Sequence, residues 1–522
     1  MSTAPTKPIV SPWVIAGTVM LATFMEVLDT SVANVALPHI AGNLSASVDE
    51  STWVLTAYLV ANAIVLPLSG WFATLFGRKQ FYMACVAIFT ASSLLCGLAP
   101  SLGWLILFRV LQGLGGGALQ PISQAILVES FPREKQGVAM AFYGMGVVVA
   151  PVIGPTLGGW ITDNYSWRWI FLINIPIGAL SIGLTTWLIA NPAHLLRRSF
   201  ANGLRLDYVG LGLLSVGLAS LEIMLDEGQR KDWFGSNLIV VSAILALVCL
   251  VAVVVWEWRQ DEPMVDFRIL MNRNFALGAA SMYALGFALY GSTAILPIFL
   301  QTVLGYTALL SGMVLSPGGV AMMLGMAVVG RLLGRFQARS LIVFGLIVGA
   351  VGLFEMSAFT LDIDFSTAMW ARTIQAAGMA FLFVPINTSA FGSVSREKLA
   401  YATGLMNLFR NIGGSAGIAM VTTILARREQ FHQQVLVGHM TPLDPAYAET
   451  LRATTSAIAA RGASLVDAAG QAQGVVYGMV QRHAAMLAVD DTFWVLALVF
   501  LAMIPLALML KPTTQRGPIM TE

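Results

Sequence analysis

Two acidic residues, Glu26 and Asp29, lie inside the first long apolar stretch of this chain, just after the run Met20-Leu21-Ala22-Thr23-Phe24-Met25. Hydrocarbon gives an ion no hydration, and even mild insertion scales charge about 2.5–3.5 kcal/mol for an acidic residue at a helix centre. The two are three residues apart, so a helix places them on one side. A carboxyl group able to exist with and without its proton is what an ion pathway through a membrane requires. Both residues are therefore candidate proton carriers, Asp29 ahead of Glu26; the alternative is that one of them simply pairs with a polar neighbour. Arg109 also falls in an apolar stretch. A guanidinium cannot usefully deprotonate, so when buried it must be paired with a carboxylate or with carbonyl groups. On the residues alone it reads as a structural ion pair.

The elements that would position these residues are membrane helices. The chain has 522 residues, of which 57% are hydrophobic and 11% charged. Soluble domains carry about 25% charged residues, so this composition reads as a polytopic membrane protein. A net charge of +2 gives no basic patch for nucleic acid. The three cysteines, Cys85, Cys96 and Cys249, sit in apolar stretches with neither a disulfide framework nor a metal-ligand spacing. No cofactor or metal is implied. The first span lacks a small-residue cleavage site after it and is read as retained rather than as a signal peptide.

Apolar runs of helical length recur fourteen times, near 13–37, 52–75, 81–99, 103–128, 137–162, 167–190, 206–225, 236–257, 274–300, 308–330, 338–359, 367–392, 401–425 and 492–510. With the N-terminus in the cytoplasm, the cytoplasmic loops hold 18 of the 29 Lys and Arg, whereas the opposite short loops hold only Arg168, Arg230 and Lys231. This satisfies the positive-inside rule and predicts both termini in the cytoplasm.

The sequence also repeats itself. Arg109-x-x-Gln112 returns as Arg372-x-x-Gln375, and Arg133-Glu134-Lys135 as Arg396-Glu397-Lys398, both at an offset of 263 residues. A shared offset argues for two related six-helix halves in parallel orientation. The expected fold is an all-α membrane protein: a first half over 1–200, an inserted helix pair over 201–260, and a second half over 261–522. Within the second half, 426–491 is too polar to span and too long for a turn. It is expected to form amphipathic helices outside the membrane, either as a solvated loop or as a docking surface.

Several stretches together resemble the fourteen-helix drug:proton antiporters of the major facilitator superfamily. Leu28-Asp29-Thr30-Ser31-Val32-Ala33-Asn34-Val35-Ala36-Leu37-Pro38 is similar to their first-helix signature. Gly70, Gly77, Arg78 and Lys79 resemble the loop motif between helices 2 and 3, and Arg109-x-x-Gln112-Gly113 the fourth-helix motif. Gly146 through Gly154-Pro155-Thr156-Leu157-Gly158-Gly159 resembles the antiporter motif of helix 5. Asp232-Trp233-Phe234, Arg273-Asn274-Phe275 and the long polar segment before the last helix resemble the EmrB branch. The resemblance implies proton-driven export of lipophilic small molecules by alternating access, and for Arg109 it implies modulation of the proton site as the other reading beside a structural ion pair. It also implies the inner membrane of a Gram-negative envelope, with a periplasmic EmrA-like adaptor and an outer-membrane channel as partners. Gly146, Ala150, Gly154 and Gly158 would form a small-residue face in a helix bent by Pro151 and Pro155; the resemblance makes it a seam between the halves that blocks leakage. One departure stands out: Thr74 occupies a loop-motif position that usually holds an acid, so Arg78 and Lys79 are expected to find helix ends, Glu129 or Glu134.

Phe24, Met25, Asn34 and Met145 are candidates for lining an adaptable cavity. Glu222 and Glu355 carry no assigned role. A fatty-acid or lipid exporter and a proton-coupled importer of the same fold remain as rivals. A primary ATP pump is disfavoured by the absence of a GxxxxGK[ST] loop, and no strand precedes Gly113 to Gly117 to make a dinucleotide loop. No constellation of residues supports an enzyme.

Overall fold

The computed structural model describes residues 11–132, 135–189, 207–392, 394–441 and 443–510. Among them, fourteen helices are long and apolar enough to cross a membrane: α1 (Pro12–Asn43), α2 (Trp53–Phe76), α3 (Arg78–Gly97), α4 (Leu102–Ser130), α5 (Gln136–Asn164), α6 (Trp169–Leu188), α7 (Tyr208–Glu227), α8 (Asn237–Arg259), α9 (Arg273–Val303), α10 (Leu310–Leu332), α11 (Ala338–Met356), α12 (Phe365–Phe391), α13 (Leu399–Val437) and α14 (Leu465–Leu508). An apolar run in lipid must satisfy its backbone internally, which is why each becomes a helix.

Helices α1–α6 pack mainly on one another, as do α9–α14. The two groups meet chiefly through α5 on α10 and α2 on α13, with smaller contacts of α4 on α13 and α5 on α12. Helix α7 pairs with α8 and leans on both α2 and α13. Its polar groups reach both sides: Asp226 accepts from Thr56 of α2, and Glu222 accepts a 2.8 Å hydrogen bond from Ser415 of α13.

Glycines set how closely the two groups approach. A Cβ at Gly70 would lie 2.6 Å from the Tyr401 nitrogen, and one at Gly404 2.6 Å from the Leu66 carbonyl oxygen. The backbones of α2 and α13 therefore touch at the end of α2 that leads into α3. Gly77, with φ +83°, makes the turn between those helices in a single residue, a conformation that favours glycine.

The segment 426–491 is largely helical, and its helices are not confined to it. Most of it continues α13 and α14 past the apolar core, with one further helix, Pro445–Ala459, packed along α14. Its alanine-rich sequence has high helix propensity, so loss of hydrophobicity ends the span without ending the helix. Arg428 and His432 of α13 both reach Asp491 of α14 at 2.6 Å and pin the base of this arm.

One expectation needs correction, and it concerns α5. Its small-residue face meets α1, not the other group: Gly146 faces Met20, Gly154 faces Ser31 and Gly158 faces Val32. The contacts with α10 come from the opposite side of the helix, where Gly137 meets Leu333 and Gly144 meets Met326. Residues two apart point about 200° apart on a helix of 3.6 residues per turn, so a four-residue period cannot serve both neighbours. Ser31 donates to the Pro151 carbonyl oxygen at 3.4 Å. That is the acceptor released by Pro155, which has no N–H to offer it.

Candidate functional site

The polar centre is built on α1. Close packing of α4 on α2 prepares it: a Cβ at Gly113 would lie 2.5 Å from the Tyr58 carbonyl oxygen, and one at Gly117 2.5 Å from that of Asn62. The glycines let α2 carry Tyr58 and Asn62 up against α1.

Asp29 is 2% exposed and Arg109 is fully buried. Arg109 Nη1 donates to Asp29 Oδ2 at 2.5 Å, and to Gln112 Oε1 at 2.9 Å. Asp29 Oδ1 accepts from Gln112 Nε2 at 3.0 Å and from Asn174 Nδ2 of α6 at 2.7 Å. Arg109 Nε donates to the Val54 carbonyl oxygen at 3.0 Å, and its guanidinium lies 4.3 Å from the Tyr58 ring centroid. This is a buried ion pair in which both carboxylate oxygens, Arg109 Nη1 and Arg109 Nε are hydrogen-bonded, while Arg109 Nη2 is buried without an acceptor.

Glu26, 4% exposed, has a different environment. Its Oε1 accepts from Tyr58 Oη at 3.0 Å and Asn62 Nδ2 at 3.2 Å; its Oε2 accepts from Gln120 Nε2 at 2.7 Å. All three donors are neutral, and no cation among the described residues stands within salt-bridge distance. The Gln120 amide oxygen in turn accepts from Arg410 of α13. A line of polar contacts thus runs Glu26–Gln120–Arg410 from one helix group to the other. Asn407 donates to Gln124 Oε1 at 3.0 Å beside it.

At the far end of α4, Arg78 pairs with Glu129, and Lys79 donates to the Thr186 carbonyl oxygen of α6 at 2.6 Å. Thr74 donates to its own helix, at the Trp71 carbonyl oxygen. Arg133 and Glu134 lie outside the described residues. In the second group, Arg372 donates to Gln375, Ser292 and Thr293. Gly159 meets only Val35, at 4.0 Å, and Pro155 is exposed.

The four expected cavity residues are not brought together. Met25 is fully buried in the main apolar core, and Met145 packs against that core. Phe24 joins a second cluster, while Asn34 is exposed. Adjacent positions on a helix point about 100° apart, which separates Phe24 from Met25. Glu355 is exposed at the end of α11. The cysteines are free, with Cys85 and Cys96 buried.

Sequence reasoning did not single out Tyr58, Asn62, Gln120, Asn174 or Arg410 for this centre. Arg410 carried a usable signal, as a charge inside a span. The neutral four did not, since uncharged polar residues are common in membrane helices.

The arrangement is that of a membrane transporter, and the comparisons agree. The profile described as Major Facilitator Superfamily matches residues 19–418, and the chain belongs to that family. It is 38% identical over 499 residues to the fatty acid resistance protein FarB of Neisseria gonorrhoeae, covering 95% of this chain and 96% of FarB. It is 37% identical over 500 residues to the multidrug export protein EmrB of Escherichia coli strain K12, covering 95% of each. Among solved structures, the human organic anion transporter MFSD10 shares the fold, with a TM-score of 0.60 at 13% identity over 97% of this chain and 100% of that one.

Proposed function

We propose that this chain is a proton-coupled exporter of lipophilic compounds, with Glu26 as the group that gains and loses the proton and the Asp29–Arg109 pair as its fixed electrostatic frame. The observation that carries the reading is the Glu26–Gln120–Arg410 line. Protonating Asp29 would strand the Arg109 cation in a buried site, an uncompensated charge worth about 3–5 kcal/mol. Protonating Glu26 breaks no ion pair. It changes what Glu26 asks of Gln120, and so what Gln120 offers to Arg410 across the interface. That gives a proton a differential interaction with two arrangements of the helix groups, which any coupled conformational change requires. The sequence-based ranking, with Asp29 ahead, is thereby reversed.

In this account the halves 1–200 and 261–522 rock about the α2–α13 and α5–α10 contacts, with the pair within 201–260 as an added strut. One proton crossing about 100 mV yields about 2.3 kcal/mol, and each pH unit about 1.4 kcal/mol. Together these sustain over two decades of substrate gradient. The chain sits in a bacterial inner membrane with both termini cytoplasmic, as the loop charges favour. The α13–α14 arm faces the other side, where it meets a periplasmic EmrA-like adaptor that leads to an outer-membrane channel. FarB and EmrB align over nearly the whole chain at similar identity, so fatty acids stand beside drugs as cargo.

The test separates coupling from carrying. In proteoliposomes, Glu26→Gln should keep downhill exchange of a lipophilic dye and lose accumulation driven by an imposed pH gradient. Full gradient-driven accumulation by that variant overturns the reading.

A further inference from the structure

The repeat that relates the two helix groups has a missing member. Advancing Arg109 and Gln112 by 263 residues gives Arg372 and Gln375; advancing Asp29 by the same step gives Ser292. The structure shows that these are true counterparts. Arg109 Nη1 donates to Asp29 and Gln112, and Gln112 Nε2 donates to Asp29. Arg372 Nη1 donates to Ser292 Oγ at 3.4 Å and to Gln375 Oε1, and Gln375 Nε2 donates to Ser292 Oγ at 2.8 Å. The hydrogen-bond pattern is preserved and the carboxylate is gone.

Arg372 is therefore a guanidinium, 8% exposed, inside a membrane span, with only hydroxyl and amide partners. Among the described residues no carboxylate stands within salt-bridge distance of it. Its Nε is buried and has no hydrogen-bond acceptor. Nε–H and one Nη2–H form one edge of the planar fork, the edge that holds a carboxylate with two parallel bonds. Nη2 on that edge donates to Thr293 at 3.1 Å, and Thr293 is partly buried. The edge thus has a vacant donor, beside a residue that is only partly buried. A buried cation without an anion is costly, so an incoming carboxylate is favoured by the charge it completes.

We infer that Arg372, with Thr293, Ser292 and Gln375, binds the carboxylate of a lipophilic monocarboxylic acid, which supplies in the second half the anion that Asp29 supplies in the first. This deepens the export reading by giving an acidic cargo a binding site, and it rests on that reading only for the step of transport.

The test is binding of radiolabelled decanoate to the purified full-length protein in nanodiscs, with decanol as the neutral competitor. Wild type should bind decanoate saturably. Arg372→Gln should weaken it at least tenfold. Ser292→Asp places an internal carboxylate at the position of Asp29; it should weaken decanoate at least tenfold as well, and raise the apparent unfolding temperature. Decanol competition should be equal in all three. Undiminished decanoate binding in either variant, no saturable binding by wild type, or a lower unfolding temperature for Ser292→Asp overturns the inference. Gradient-driven export of a lipophilic cation, measured on the same wild-type preparation, reports on the export reading separately: decanoate can bind where that transport fails, and the reverse.

Discussion

A single side chain joins Glu26 of α1 to Arg410 of α13: Gln120 donates to the carboxylate at 2.7 Å and accepts from the guanidinium. The contact crosses from one helix group to the other through an amide that touches both charges. Glu26 is thus read by the second group without being paired to it, whereas Asp29, one turn along the same helix, is locked to Arg109 at 2.5 Å. Two carboxylates three residues apart have been given different surroundings by what α2, α4 and α6 present to them.

The Asp29–Arg109 pair should behave as a unit. Asp29→Asn and Arg109→Gln each leave one buried charge without its partner and should each cost about 3–5 kcal/mol of stability. The double variant should recover much of that loss. Thermal unfolding of the four proteins in one detergent checks this; strictly additive losses would show that the two side chains are not coupled.

The α2–α13 contact leaves no room for a side chain at Gly70 or Gly404. Gly70→Val should force the two backbones apart by displacing Tyr401 and its neighbours. Transport in proteoliposomes should fall at least tenfold while the protein still inserts. Wild-type rates for this variant would mean that the contact is not used in the transport cycle.

Helix α7 is tied to both groups by carboxylates, and the two ties should respond differently. Thr56→Val removes the donor to Asp226, an exposed carboxylate that water can then satisfy, so the loss should be no more than about 0.5–1.5 kcal/mol. Glu222→Gln keeps an acceptor for Ser415 and removes a buried charge, so stability should hold or rise. The order of unfolding temperatures, with Thr56→Val lowest, is the readout.

The arm formed by the ends of α13 and α14 should be dispensable for transport itself. Replacing 438–464 by a short flexible linker removes the helix Pro445–Ala459 and spares the Arg428–Asp491 and His432–Asp491 contacts at its base. Proteoliposome transport should be unchanged, while resistance of cells that possess an outer membrane should be lost. Unchanged resistance would remove the arm from the adaptor interface.

The spans were legible because hydrocarbon imposes one rule on every residue of a run, and the fourteen runs emerge as fourteen helices. Boundaries failed where that rule does not apply: α13 and α14 continue as helices after their hydrophobicity ends, and hydropathy has nothing to say about where a water-exposed helix stops. Glu26, Asp29, Arg109, Arg372 and Gln375 were visible because charge in a span is rare. Their allocation was not, since Asp29 and Glu26 differ by which neighbours α2, α4 and α6 deliver. The helix 5 glycines showed a packing face but not its partner; only the tertiary arrangement tells Met20 and Ser31 from Met326. The absence of an acid at Ser292 could have been read from the repeat, yet its meaning required seeing Arg372 with no carboxylate beside it.

The central claim is that Glu26 carries the exchanged proton. Its most direct test is proton release on substrate binding, followed with a pH indicator and purified protein in weakly buffered detergent solution. Wild type and Ser31→Ala should release protons on addition of a lipophilic substrate, and Glu26→Gln should bind that substrate and release none. Proton release by Glu26→Gln equal to wild type would contradict the account.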